Sequence, residues 1–254
     1  LADDAAAEGG KIGISMPTQS LERWNRDGSY LEEQFKAAGY DVELTYSDNE
    51  TDRQVNDIQN LISDGVNLLV VAAIDGEALN TVMDEAADAG IPVIIVDRMV
   101  DVSDDSLYTA WVGSNFKLEG QKAMAWLDAY LEAKGRGDEE INLVDIQGTI
   151  GASAQIGRTE GFDEAVEAHD NWTTLAQQSG EFTQAKGQEV MESMLKQHDN
   201  INVVYCENDN EAFGAIDAIE AAGKTVGPDG DILVMSFDTT NAGLTDTLLS
   251  LIHI

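Results

Sequence analysis

From Lys11 onward, short apolar runs alternate with longer stretches whose apolar positions recur at helical spacing. The runs Lys11–Met16, Tyr40–Tyr46, Leu68–Ala72, Val93–Val96, Ile141–Ile146, Thr173–Ser179, Val203–Cys206 and Ile232–Ser236 are predicted strands. Several are unbroken Val/Ile/Leu sequences, the pattern of strands covered by helices on both faces of a parallel sheet. Helices are predicted between them. Thr51-Asp52-Arg53-Gln54 fits a capping box. Gly39, Gly90 and Gly223 each follow an Ala-rich helical stretch and can end it with a left-handed residue, and Pro92 then leads into the next strand. Lys117 to Leu131 is the longest helical pattern. Strict alternation of this kind means βαβ units with right-handed crossovers.

The alternation pauses once. After Asp97-Arg98 comes a polar stretch (Asp101, Ser103, Asp104, Asp105, Ser106), then an extended segment from Leu107 to Val112. We read this as a crossing between two similar lobes near Gly113. The expected organisation is a flexible tether over residues 1–10, a first lobe over 11–113, a second over 114–248 and a tail over 249–254. The fold class is α/β, with two Rossmann-like lobes built on parallel sheets.

Composition narrows the function. Hydrophobic residues make up 43% of the 254, enough for a sizeable core. No apolar run approaches the roughly 20 residues of a membrane-spanning helix. The charge is extreme, 48 acidic residues against 14 basic for a net −34. Such a charge argues against nucleic acid as a partner, because phosphate contacts require clustered Lys and Arg, and it disfavours an anionic membrane surface for the same reason. A solvated acidic face and adaptation to a salty environment both account for such a balance. The one cysteine, Cys206, lies in an apolar run and reads as a buried structural thiol. The small, acidic opening Leu1–Gly10 reads as a mature N-terminus, so an extracytoplasmic location with its export signal outside this chain is expected.

Ligands of open α/β sheets bind beyond the carboxyl ends of the strands. The residues just past the predicted strands are therefore the candidates. They include Arg23 and Trp24 after the first strand, Asp97 and Arg98 after Val96, and a loop reaching Arg158 after Ile146. Further along come Phe182, then Glu207, Asn208 and Asp209, then Phe237 and Asp238. Three of the six arginines fall here. Arg and Asp can each bridge neighbouring hydroxyls, and an aromatic ring can cover the C–H face of a sugar. Asp97 and Asp238 offset two of the arginines, which favours a neutral ligand. Each residue also has a plainer role: Asp97-Arg98 as a cap and surface ion pair, Trp24 and Phe182 as core aromatics, Asn208 as an N-cap, and Arg158 paired with Glu160.

Other chemistries find no support. Neither G-x-G-x-x-G nor a P-loop is present. The three histidines lack triad or zinc spacing, with His169 and His198 near predicted helix ends and His253 in the tail. Asp229-Gly230-Asp231 is too sparse for a calcium loop. No catalytic residue, metal or cofactor is expected, and the chain reads as a binding protein rather than an enzyme.

The same residues carry a resemblance. Ile12-Gly13-Ile14-Ser15-Met16-Pro17-Thr18 with Arg23-Trp24, and Ala73-Ile74-Asp75-Gly76, are similar to bacterial multiple-sugar receptors, and Leu21–Trp24 to xylose-binding proteins. DRMVDVSDDSLY (97–108), LVDIQGTIGASAQIGRTEGF (143–162), QSGEFTQAKGQEVMES (178–193) and ENDNEAFGAIDAIEAAG (207–223) resemble galactofuranose- and ribose-binding proteins. Together they resemble the type 1 periplasmic sugar-binding proteins from Lys11 to about Leu244. The resemblance implies a monosaccharide ligand held between two hinged lobes, delivery to an ABC importer permease, and a monomer, free or lipid-anchored. A sensor role, in which the closed form also touches a membrane sensor kinase, is compatible with transport and is carried as a separate hypothesis. Arg23, Trp24, Asp97 and Arg98 would bind from the first lobe, and Arg158, Phe182, Asn208, Phe237 and Asp238 from the second.

Two departures stand out. Ala72 and Ala73 follow Val71 where ribose-binding members carry an Asn. The family pattern also continues past this chain's end, and Leu249-Ser250-Leu251-Ile252-His253-Ile254 reads as translated sequencing-adapter sequence. A C-terminally truncated fold that binds weakly on its own is expected from that. The competing functions are the effector domain of a sugar-responsive repressor and a chemosensory partner. The first is disfavoured by the acidic charge and by the lack of a helix-turn-helix ahead of Lys11.

Overall fold

The computed structural model describes residues 9–252. The expected tether over residues 1–10 lies outside these apart from Gly9 and Gly10, as does His253. The chain divides into two compact units: Leu1–Ser114 with Gly151–Ser153, and Asn115–Ile150 with Ala154–Ile254.

The first unit runs β1 (Lys11–Met16), α1 (Glu22–Ala37), β2 (Asp41–Tyr46), α2 (Thr51–Ser63), β3 (Leu68–Val71), α3 (Asn80–Asp88), β4 (Val93–Val96) and β5 (Ala110–Val112). Its strands form one parallel sheet in the order β2-β1-β3-β4-β5. The second runs α4 (Phe116–Ala133), β6 (Ile141–Gln147), α5 (Ser153–Glu167), β7 (Trp172–Ser179), α6 (Gln184–Gln197), β8 (Val203–Cys206), α7 (Asp209–Ala221), β9 (Leu233–Met235) and α8 (Asn241–Leu248). Its parallel sheet has the order β7-β6-β8-β9. In both sheets the order reverses beside the first strand, and the loops at such a switch point open into a crevice beyond the carboxyl ends.

Alternation along each strand explains the apolar runs. In the second sheet Val144, Ile146, Val204, Cys206 and Val234 pack against α6 and α7. Leu143, Val203, Tyr205, Leu233 and Met235 pack against α4 and α5. With both faces covered, β8 and β9 are buried at every position. Cys206 is fully buried, and burial pushes its thiol well above its ordinary range. Leu251 and Ile252 also pack against this core. Helices α1, α3 and α7 end before Gly39, Gly90 and Gly223, which take φ of 93°, 70° and 77°.

Three expectations are corrected. The extended segment from Leu107 is interrupted: Asp104 accepts from Ser106 N, a 3-10 turn forms over Asp105–Leu107, and only Ala110–Val112 pairs with β4. Glu160 pairs with Lys117 and not with Arg158. The Thr51–Gln54 capping box is not formed, because α2 begins at Thr51 itself and its cap residue, Glu50, makes no side-chain bond. Gln54 turns inward instead, one turn before Ile58 on the buried face. Its Nε2 donates to Ala72 O at 2.8 Å and to Ser15 Oγ at 3.3 Å, and its Oε1 accepts from Ile74 N at 2.9 Å. A buried amide thus satisfies the backbone where β3 ends, which no local signal could specify.

Gln54→Leu keeps the volume and strands those backbone groups. Chemical denaturation should show a loss of about 2–4 kcal/mol. A loss under about 0.5 kcal/mol, the scatter of an ordinary surface change, would refute the assignment.

Candidate functional site

Left-handed backbone marks the strand ends. Among the described non-glycine residues, Asp48 and Asn49 follow β2, Asp97 follows β4, Glu181 and Phe182 follow β7, and Asp238 and Thr239 follow β9, all at positive φ; Ser250 is the exception elsewhere. Each such residue costs on the order of 1–3 kcal/mol, so the surrounding contacts must hold it.

In the first unit Asp97 is held on three sides. Its N–H donates to Val112 O at 2.8 Å, its carbonyl accepts from Trp111 Nε1 at 3.0 Å, and its Oδ1 meets Arg23 Nη2 at 2.6 Å. Arg23 also reaches Asp27 at 3.4 Å, one helical turn away. Trp24, on the inner side of α1, is 3% exposed. The guanidinium carbons of Arg23 and Arg98 each lie 5.0 Å from its ring centre. Trp24 is therefore the platform on which two cations rest. Arg98 is 2% exposed and so does not lie on the surface, and Asp97 pairs with Arg23. Ala72 and Ala73 are fully buried and bring no polar side chain to the end of β3.

The second unit is built around Arg158. Helix α5 crosses α4 at glycines, and a Cβ on Gly120 would stand 2.7 Å from Arg158 O. This close approach brings Glu119 and Phe116 to the guanidinium. Glu119 Oε2 accepts from Nε at 3.1 Å and from Nη2 at 3.0 Å, and Asp238 Oδ1 lies 3.5 Å from Nη2. Nη1 donates to Glu207 O. Phe237 and Phe116 contribute ring centres 4.6 and 5.3 Å from the guanidinium carbon. A buried cation is thereby met by carboxylate, carbonyl and π-face together. Asn208 caps α7, accepting from Glu211 N at 2.8 Å and donating to Phe182 O at 3.0 Å.

Five residues at this end were missed or left without a role: Phe116, Glu119, Glu207, Asp209 and Glu211. Glu119 is 39 positions from Arg158, so sequence proximity gives no hint of the pair. Glu207 was visible only by its place after β8. Its carboxylate accepts from Gly148 N and from Thr159 Oγ1, both at 2.7 Å. Asp209 accepts from Ser236 Oγ and from Thr240 N and Oγ1, each at 2.7 Å. Burial pushes Glu207 up to about 8 despite those donors. Asp145 and Glu211 are also raised well above the usual carboxylate range, burial being the first cause and neighbouring acids the next. Among the described residues no cluster of His, Cys, Asp and Glu is arranged to hold a metal ion, and no helix is long and apolar enough to cross a membrane.

A family profile for the periplasmic binding protein domain matches residues 12–247. The chain belongs to the periplasmic binding protein family. Its two parallel sheets are the type 1 arrangement of that family, whose members are binding proteins and not enzymes. The galactofuranose-binding protein YtfQ of Escherichia coli is 37% identical over 203 residues, 79% of this chain and 62% of that protein. The ribose import binding protein RbsB of Bacillus subtilis is 31% identical over 227 residues, 89% of this chain and 69% of that protein. The crystal structure of a galactofuranose binding protein superimposes with a TM-score of 0.86 at 31% identity, over 95% of this chain and 80% of that one. The chain thus spans under two thirds of the length of the galactofuranose-binding relative.

Glu207 has its folded-state value raised above the ordinary 4.5 to about 8. Its favourable contribution is complete below the lower value and is lost as pH rises through the upper one. Stability should fall by about 1.4 kcal/mol per pH unit between pH 6 and 8 on this account. Thermal unfolding across that range should show a declining midpoint, with the slope reduced in Glu207→Gln. An unchanged slope in that variant would rule out Glu207 as the source.

Proposed function

We propose that this chain captures a small neutral monosaccharide, an aldopentose or aldohexose with galactofuranose among the candidates. It would hand the sugar to the permease of an ABC importer, working outside the cytoplasmic membrane as a monomer, free or lipid-anchored. The ligand contacts would be Arg23, Trp24, Asp97 and Arg98 in the first unit, and Arg158, Phe182, Asn208, Phe237 and Asp238 in the second. A membrane sensor kinase would suit the ligand-bound form as a second partner.

The observation that carries this reading is the pairing of a buried arginine with an aromatic ring beyond the strands of each sheet: Arg98 on Trp24 and Arg158 on Phe237. A sugar needs that combination, with fixed donors for its hydroxyls and a flat apolar surface for its C–H face. Asp97 beside Arg23, with Glu119 and Asp238 beside Arg158, offsets the positive charge, which favours a neutral sugar over an acidic one. The relatives named for galactofuranose and ribose support the same class. Alanine at positions 72 and 73 removes the amide that ribose-binding members use, and so disfavours ribose.

The test is a thermal-shift series on the chain completed to the length of its relatives, with galactose, glucose, xylose, arabinose, ribose and a galactofuranoside. A ligand at about 1,000 times its dissociation constant adds roughly 4 kcal/mol of stability, a plain rise in midpoint. We expect a rise with one or two sugars, abolished in Arg98→Ala. A flat response across the panel would overturn the reading.

A further inference from the structure

The start of α7 carries an incomplete capping box. Asn208-Asp209-Asn210-Glu211 has the right spacing, and Asn208 Oδ1 accepts from Glu211 N at 2.8 Å. In a closed box the Glu carboxylate would return to the cap residue's own N–H. Here it is spent on another loop: Glu211 Oε1 accepts from Phe182 N at 2.9 Å. Asn208 Nδ2 donates to Phe182 O at 3.0 Å. Both backbone groups of one residue are therefore gripped by the first turn of α7.

That residue needs the grip. Phe182 has φ of 59°, and Glu181 before it has φ of 56°, two consecutive left-handed residues that carry side chains. The ring has one seat. It lies on Gly148, where an added Cβ would fall 1.9 to 2.3 Å from three ring carbons. Gly148 is itself tied, its N–H to Glu207 Oε2 at 2.7 Å and its carbonyl to Ser179 Oγ at 2.6 Å. Glu211 reaches the loop because α6 and α7 nearly touch. A Cβ on Gly187 would stand 2.8 Å from Glu211 Cα, and one on Gly214 would stand 2.1 Å from Gln184 O.

We propose that Glu211, together with Asn208, is a positioning residue for ligand binding, fixing the backbone of Phe182 so that its ring is in place before the ligand arrives. The proposal rests on the monosaccharide reading. Its distinguishing feature is that reach matters and charge does not. Burial holds the Glu211 carboxyl well above its usual range, with the nearby Glu207 raising it further, and glutamine has the shape of the neutral acid. Glutamine keeps the acceptor in place, whereas aspartate keeps the acid but withdraws the oxygen by roughly 1.5 Å.

The experiment compares Glu211→Gln and Glu211→Asp in the full chain, reading two quantities. One is hydrogen exchange of the Phe182 amide in the ligand-free protein. The other is the dissociation constant for the sugar found in the thermal-shift panel. Glu211→Asp should speed exchange and weaken binding, each by about tenfold, the worth of one hydrogen bond to a carboxyl group. Glu211→Gln should leave both within about threefold of wild type, inside the range of a neutral change. Wild-type behaviour of Glu211→Asp, or equal damage by both substitutions, would overturn the proposal. So would faster exchange without weaker binding, since the grip would then be structural only. If the wild-type chain binds no sugar, the monosaccharide reading and the ligand role fall together, while the exchange measurement still decides whether the grip exists.

Discussion

A guanidinium removed from water must find its compensation within a few ångströms, and much of the second unit is arranged around that demand. Arg158 is 5% exposed. The crossing of α4 and α5 at Gly120 brings Glu119 into range, the end of β8 offers the Glu207 carbonyl, and the loop after β9 brings Phe237 and Asp238. Truncating any one partner would leave charge poorly compensated in a place water cannot reach. The same contacts hold Asp238 at a φ of 88°, a backbone state with little intrinsic stability.

The first unit meets the same demand differently. Arg23 and Arg98 share one indole, and the Asp97 carboxylate that meets Arg23 belongs to a residue pinned through its backbone to β5. Trp24 therefore does two jobs with one side chain: it seals the inner side of α1 and supports the cations. In both units the strained residues stand next to the charged ones. Backbone strain and buried charge are stabilised by one shared set of contacts, which limits how far either can shift alone.

Much of the framework was legible from the chain. Lys11–Met16, Val93–Val96 and Val203–Cys206 coincide with the observed strands residue for residue, because short runs dominated by β-branched and other apolar residues between turn signals mark strands of a doubly covered sheet. Helix ends at Gly39, Gly90 and Gly223 follow from local backbone preference alone. The polar supports were not legible. Gln54 looks like a cap by spacing, yet it is a buried clamp on the end of β3, decided by how α2 lies on the sheet. Glu119 and Glu211 sit among many acids on amphipathic helices, and only the close approach of neighbouring helices separates them from solvated ones. Asn208 was open to two readings, and its amide both caps α7 and holds Phe182.

Cys206 gives the molecule an experimental property of its own. The one thiol is sealed behind β8 among Val204, Ile146 and the α7 alanines, and burial keeps it protonated. Reagents that label cysteine act on exposed thiolate, so the native chain is silent toward them. A cysteine placed at an exposed position on the rim of either unit would be the sole reactive handle. A fluorophore or spin label could then be attached at one defined point, with no need to remove the native residue and disturb the core.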